Sequence, residues 1–310
     1  MINEPLDILK IHPICKTNEQ KEAFRADVGT YVKSFDFDFG MEPCSSGGQN
    51  LIIGDAEKAR YLITAHYDTP GSIGIANVST PCNAVRTNLI LLRNVAFGAL
   101  VGGAAGYLMR QGYLLPGIAV LFLVMVMLPL CHRFQLFPAN PCNANDNTSG
   151  VVTLLEIART LPQAHRDKVC FVLFDQEERG LLGSAAYRKA HKAATENQIV
   201  LNLDCVGDGD HILFMPTKKT RKDQQLIRRL KRLGGWFGKK QILTIDKGFC
   251  QYNSDHKNFP LAVGVGAFHQ KKKTFVLDKI HTKHDTNLDM TNVNLLRAAL
   301  ITFICGDAVS

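Results

Sequence analysis

The feature that most constrains how this chain can fold is a pair of apolar stretches near its middle. Asn94 to Met109 carries no charge and is extended upstream by Leu89 to Leu92 across Arg93. Leu114 to Cys131 follows after the short turn Arg110-Gln111-Gly112. As a helix, each would be about 24 to 30 Å long, close to the hydrocarbon thickness of a bilayer. Gly98, Gly102 and Gly106 are spaced by four, the small-residue pattern that lets membrane helices approach closely. The segment reads as a transmembrane hairpin with helices at about 89–109 and 113–131. A hydrophobic lid or a dimerisation arm is the alternative, favoured by the shortness of the first span and by Arg93 within its extension.

The hairpin has a visible seam. Pro81-Cys82-Asn83-Ala84 recurs as Pro141-Cys142-Asn143-Ala144, one copy at each end of the apolar segment. This divides the chain into a discontinuous domain, 1–80 with 141–310, and an insertion, 81–140. A hairpin returns the chain to the side it left, so both parts of the domain lie on one face of the membrane. Arg86, Arg93 and Arg133 sit at the domain ends of the helices, against Arg110 at the far turn. Positive charge favours the cytoplasmic side, so a multi-pass protein with a cytoplasmic domain is expected. Met1 to Lys10 lacks the pattern of a secretory signal, which agrees with that expectation.

With 310 residues and 46% hydrophobic content the chain can bury a large core without disulfides. Its nine cysteines are scattered and form no Cys-x-x-Cys pair, which argues against a zinc ribbon or a disulfide framework. The net charge of +8 is concentrated around Lys218 to Lys240. That run reads first as a solvated helix face and second as a surface for anionic lipid. Nucleic acid is not expected as a partner, because no aromatic stacking pattern accompanies the charge.

Outside the hairpin, strands and helices alternate. Helices are expected at Thr17–Phe35, Ser149–Leu161, Arg179–His191 and from Asp289 to Ile304. Strands are expected at Leu51–Ile53, Tyr61–Ala65, Val169–Phe174, Ile199–Leu203, His211–Met215, Ile242–Ile245 and Ala262–Phe268. The alternation predicts an α/β three-layer sandwich with a mostly parallel central sheet flanked by helices. In such sheets functional sites lie beyond the carboxyl ends of the strands. Three clusters of metal-loving side chains fall there: His66-Tyr67-Asp68, Glu177-Glu178 and Asp204.

The spacing of these clusters has chemical content. Across two residues of extended chain, His66 and Asp68 share a face, so Asp68 can accept the second ring N–H of His66. Asp146, in Asp146-Asn147-Thr148-Ser149-Gly150, can project a carboxylate from the start of a helix; its plainer reading is an N-cap. Adjacent carboxylates at Glu177-Glu178, after a buried strand, are costly unless a cation compensates them. One can bind metal while the other handles a water, the division of labour that metal-assisted hydrolysis requires.

Taken together, HYDTP at 66–70, NDNTSG at 145–150, QEERGLLGS at 176–184, NLDCVGD at 202–208, SDHKNF at 254–259 and IHTKHDT at 280–286 resemble the di-zinc aminopeptidase family. That family includes bacterial leucyl aminopeptidases, plasma glutamate carboxypeptidase and glutaminyl cyclases. The resemblance implies two zinc ions bridged by Asp146, one completed by His66 and Asp204 and the other by Glu178 and His281. Glu177 would be the general base, and Asp285 a partner behind the ligands. Tyr252, just before Ser254-Asp255-His256, is a candidate hydrogen-bond donor to the transition state. Co2+ or Mn2+ also suits such nitrogen and oxygen donors.

The implied activity is a membrane-associated aminopeptidase acting on peptides. A glutaminyl cyclase-like acyltransferase is the nearest enzymatic rival, and a catalytically silent membrane scaffold is the reading from another class. The implied partners are a peptide substrate, the bilayer through residues 89–131, and a second copy of the chain paired through the hairpin.

Overall fold

The computed structural model describes residues 2–72, 74, 77–127, 130–131 and 136–306. Arg133, expected at the domain end of the second hairpin helix, lies outside the described residues. Ten strands form one sheet: β1 Phe39–Pro43, β2 Gln49–Ile53, β3 Tyr61–His66, β4 Val169–Phe174, β5 Ile199–Leu203, β6 His211–Pro216, β7 Gly235–Phe237, β8 Lys240–Thr244, β9 Ala262–Lys271 and β10 Thr274–Val276. Their spatial order is β1-β2-β4-β3-β5-β9-β6-β8-β7, with β10 paired to β9.

Parallel pairing is concentrated in the centre. β4, β3, β5 and β9 run parallel, whereas β1, β2, β6, β7 and β10 each make antiparallel pairs around them. The central strands are the near-continuous apolar runs expected of strands buried on both faces. On β3, Tyr61, Ile63 and Ala65 enter one core, while Leu62 enters the other with Cys170, Val172 and Phe174 of β4. This period-two division is what places a helical layer on each face.

Among the described residues, seven helices exceed two turns: α1 Asn18–Lys33, α2 Ala84–Arg110, α3 Leu114–Phe122, α4 Ser149–Thr160, α5 Leu182–Ala190, α6 Gln224–Arg232 and α7 Met290–Cys305. α1 starts at Thr17, whose hydroxyl accepts from the Gln20 amide in a capping box. α7 starts at Asp289, whose carboxylate accepts from the Thr291 amide. α1, α4, α6 and α7 share one core with the sheet, and α5 covers the opposite face through Tyr187.

The apolar segment is a helical pair outside both cores. α2 is longer than its apolar run suggests, because the Asn83 side chain accepts from the Arg86 amide and starts the helix inside the domain. The window of highest hydropathy in α2 is only 6% buried, so it is not a core helix. α3 continues into a wider turn at Leu123–Met127. The two helices meet at Ala105, fully buried, and Gly117, where a Cβ would lie 2.8 Å from the Ala105 carbonyl oxygen. Gly98, Gly102 and Gly106 face open space, so they do not form the seam of this pair.

The chain closes below the hairpin through residues upstream of the tetrapeptide repeat. Ser72 donates its amide to the Pro138 carbonyl at 2.8 Å, and Asn140 donates to the Pro70 carbonyl at 2.9 Å. Residues 77–79 then pair with 277–280, through Asn77 to the Ile280 carbonyl and a bridge between Ser79 and Leu277. Much of the basic run is used internally: Arg229 donates to Tyr61 and to the Phe303 carbonyl, and Lys240 pairs with Asp210 and Asp289.

Candidate active site

Three neighbouring strands end at the site. β4 leads to Glu177 and Glu178, β3 ends in His66 with Asp68 just beyond, and β5 leads to Asp204. His66 Nε2 lies 3.2 Å from Asp146 Oδ1 and 3.9 Å from Asp204 Oδ1. His281 Nε2 lies 3.1 Å from Asp146 Oδ2 and 3.1 Å from Glu178 Oε1. The two oxygens of Asp146 therefore face two separate donor sets, His66 with Asp204 and Glu178 with His281. Glu177 shares the pocket, with a donor atom within 4.8 Å of atoms on His66 and Glu178.

Asp68 ties the ends of two strands together. Its Oδ1 lies 3.5 Å from His66 Nδ1 and accepts from the Glu177 amide at 3.0 Å, while its Oδ2 accepts from the Glu178 amide at 3.2 Å. His66 Nδ1 bonds to the backbone carbonyl of Asp68 at 3.3 Å, so this residue orients the imidazole through its main chain and its carboxylate fixes the backbone that presents both glutamates.

Asp146 is held with comparable economy. Asp285 accepts from the amides of Asn145 and Asp146 at 2.9 and 3.0 Å. Asn147 accepts from Gly150 and Cys205 at 3.1 Å and donates to the Leu203 carbonyl at 3.0 Å. Asn145 accepts from Gly207 and Asp208 at 2.7 and 3.0 Å. A Cβ at Gly150 would come within 2.6 Å of the Leu203 carbonyl oxygen, so glycine is required for this approach of α4 to β5.

Backbone strain gathers at the same place. Four non-glycine residues bordering the site have left-handed backbone, Gln176 (φ 59), Leu181 (φ 61), Cys205 (φ 56) and His281 (φ 60). Each such residue costs about 1–3 kcal/mol and persists only where its surroundings hold it. At His281 the restraint is Ser72, whose hydroxyl donates to the His281 carbonyl at 2.5 Å.

The charges demand compensation. Burial would lower the affinity of His281 for a proton, but Glu178 and Asp146 push it up to about 11. Burial likewise opposes the charging of His66, and Glu177, Asp146, Asp204 and Asp68 outweigh it. Burial raises Glu177 well above the usual carboxylate range, with Glu178, Asp255 and Asp204 acting in the same direction. Left to themselves, the carboxylates hold both imidazoles protonated. Divalent ions between the same donors satisfy the carboxylates with the imidazoles neutral, as ligation requires, so this donor set fits two cations.

Residues 131–303, more than half of the chain, match the family described as peptidase family M28. The chain belongs to peptidase family M28. Aminopeptidase YwaD of Bacillus subtilis (strain 168) is 42% identical over 78 residues, 24% of this chain and 17% of that protein. The match thus spans about a sixth of the relative's length. Among solved structures, glutaminyl cyclase of Porphyromonas gingivalis superposes with a TM-score of 0.62 at 17% identity, covering 98% of this chain and 96% of the other. A Zn-dependent exopeptidase from Parabacteroides distasonis ATCC 8503 gives 0.60 at 14% identity, covering 97% and 94%. The LapA aminopeptidase of Legionella pneumophila gives 0.58 at 16%, covering 97% and 67%. At these identities the structural likeness is one of fold: a central sheet flanked by helices, common to M28 peptidases and glutaminyl cyclases.

This M28 site opens into a cavity of about 180 Å³ whose walls include residues that the sequence did not single out. Thr87 and Ile90, on the first two turns of the apolar helix α2, line it together with Val78, Leu277 and Ile280. Tyr252 also lines it, and its hydroxyl donates to the Asp204 carbonyl at 3.0 Å. Asp255, until now only one letter in a motif, is fully buried; Ser184 donates to its Oδ1 while its Oδ2 has no partner. Burial pushes its carboxyl up to about 7. The available signal for Asp255 was its place in the Ser254-Asp255-His256 motif. Nothing local marked Ser72, Thr87 or Ile90.

Proposed function

We propose that this M28 chain is a membrane-associated di-zinc aminopeptidase. The observation that carries the reading is the pair of donor sets sharing Asp146, with Glu177 left over as a carboxylate in the same pocket. His66, Asp146 and Asp204 would hold one zinc ion, and Asp146, Glu178 and His281 the other. Bound zinc supplies Lewis acidity, polarising a carbonyl and lowering the pKa of water. Glu177 takes a proton from the attacking water and returns it to the leaving amine. Asp68 keeps Glu177 and His66 in register through the bonds described above. Tyr252 would serve the transition state only by exchanging the Asp204 carbonyl for the substrate's.

A second reading, glutaminyl cyclase, is supported by the near-complete overlap with the cyclase fold. Metal analysis of the detergent-purified chain, with an aminoacyl-amide panel before and after chelation, tests the peptidase. Metal-dependent release of the N-terminal residue is expected. Loss of ammonia alone from N-terminal glutamine peptides would establish the cyclase instead, and no turnover with a full metal complement would exclude both.

We read the discontinuous domain as the catalytic unit and α2–α3 as a membrane hairpin. Support comes from the exposure of α2, its length of about 40 Å and the uncharged run between Arg93 and Arg110. The first two turns then stand clear of the hydrocarbon, where Thr87 and Ile90 wall the pocket, and the domain faces the cytoplasm. The glycine face of α2 is the surface through which two copies would pair. Recovery in the soluble fraction after alkaline extraction would remove the membrane assignment, and accessibility of a domain cysteine to an impermeant thiol reagent in intact cells would reverse its sidedness.

A further inference from the structure

All nine cysteines are free thiols, and two of them, Cys82 and Cys250, pack against one apolar cluster beside the catalytic pocket. The Gln251 amide donates to the Pro81 carbonyl at 2.8 Å, which ties the segment entering α2 to the segment carrying Tyr252. One residue further along each segment stand Cys82 and Cys250, both half-buried against the cluster of Tyr252, Leu277 and Ile280. Their side chains are within hydrogen-bond reach of each other. Two thiols in mutual contact meet the first requirement for a disulfide, which joins residues whose Cα atoms are about 4.4–6.8 Å apart.

We propose that Cys82 and Cys250 are a thiol pair that a low-molecular-weight disulfide oxidises to an intramolecular cystine, clamping the two walls of the pocket together. Cys82 immediately precedes Asn83, the cap of α2, whose next turns carry Thr87 and Ile90. Cys250 immediately precedes Gln251, Tyr252 and Asn253, which line the same pocket. A covalent bond here joins the hairpin to the catalytic domain at the pocket itself.

The chemistry assigns the order of events. Cys250 is the attacking sulfur: the hydrogen bond from Cys82 lowers its pKa, and Arg221 adds to this against the effect of burial. Its thiolate attacks one sulfur of the small disulfide and expels a thiolate, leaving a mixed disulfide on Cys250. Cys82 then loses its proton and attacks Cys250 Sγ, expelling the second small thiol. Two protein thiols are oxidised, one small disulfide is reduced to two thiols, and the two protons leave with those thiols.

Formation of the link is independent of the reading given under Proposed function, whereas its effect on turnover rests on that reading. The zinc-loaded full chain in detergent is incubated with oxidised glutathione and digested without reduction. A peptide pair joining Cys82 to Cys250 is expected, lost in Cys82→Ser and in Cys250→Ser and reversed by dithiothreitol. Oxidation should slow zinc release to a chelator several-fold in the wild-type chain and leave both variants unchanged. Hydrolysis of an aminoacyl amide should fall several-fold in parallel. Recovery of Cys82 and Cys250 only as separate glutathione adducts, or joined to other cysteines, overturns the pair. A Cys82–Cys250 link that leaves zinc release unaltered overturns the clamp. Linked protein with slowed zinc release but no hydrolysis in either redox state would defeat the peptidase reading alone.

Discussion

The metal-ligand cluster and the apolar hairpin belong to one chain but are built on opposite principles. In the cluster, nearly every side chain is held by a second group: Asp68 orients His66, Asp285 holds the backbone of Asp146, and Ser72 restrains His281. Among the described residues the hairpin has a close seam at Ala105 and Gly117 and presents large apolar side chains such as Leu100, Tyr107 and Leu115 outward. Polar ligands need directional partners to keep their geometry in a low-dielectric site. An apolar helix needs only a surrounding medium that does not compete for its backbone. The contrast teaches that precision here resides at the strand ends, while the hairpin meets that region mainly through the first two turns of α2.

The sharpest way to break the comparison is Glu177→Gln. Turnover should fall by roughly 10²- to 10⁴-fold, the usual contribution of a general base, with zinc content unchanged. Full activity in this variant would remove Glu177 from the mechanism. Asp285→Ala comes next, because the amides of Asn145 and Asp146 lose their acceptor. Zinc affinity should weaken by about 10- to 100-fold, as measured by competition with a chelating dye. Unchanged affinity would mean that the Asp146 loop holds itself.

Ile90→Ala probes a place where the two regions share a surface. Widening the wall should change kcat/KM for bulky against small N-terminal side chains by about 10-fold or more, with zinc content intact. An unchanged substrate ranking would confine specificity to the catalytic domain. Gly117→Leu should have the smallest effect on the site: it forces α2 and α3 apart and raises protease sensitivity of the hairpin, with kcat/KM within about two-fold of wild type by independence of distant sites.

Stability against pH separates the regions as well. In the metal-free protein, His281 is raised from 6.5 to about 11, so its stabilisation is complete below 6.5 and disappears as pH rises through 11. The raised pKa values of buried Glu177 and Glu178 act in the same direction, because their charged forms are disfavoured in the folded state. The thermal midpoint of chelated protein should therefore fall between pH 7 and 10, and zinc should flatten that slope. An equal slope with and without zinc would place the destabilising groups outside the cluster.

Much of the fold was legible because its signals are local. Val169–Phe174 is an uninterrupted apolar run bounded by polar residues, Ile199–Leu203 is one broken only by Asn202, and both are strands over those limits. Thr17 and Asp289 carry side chains that cap helices and do so. β1, β7 and β10 were not legible: they are short, and β1 holds glycine and proline, so their pairing was set by the strands beside them. The expected helix at Arg179–His191 begins later, at Leu182, because Gly180 and Leu181 take left-handed backbone in turning the chain away from Glu178. For the candidate site, the residue types and their positions after strands could be read, since histidine and carboxylates beyond buried strands have few other stable uses.

By itself the sequence determined which side chains could meet a cation, the alternation that forms a two-faced sheet, and two long apolar stretches interrupted by few charges. Those properties depend on neighbours a few residues apart and leave a periodic trace. Only the tertiary structure decided that one carboxylate, Asp146, faces two donor sets, that Asp68 serves two strands, that Cys82 meets Cys250, and that the first two turns of the apolar helix wall the pocket. These contacts join residues as far apart in the chain as Asp68 and Glu177 or Cys82 and Cys250, and chain closure over such distances costs little extra entropy and leaves no pattern in the intervening sequence.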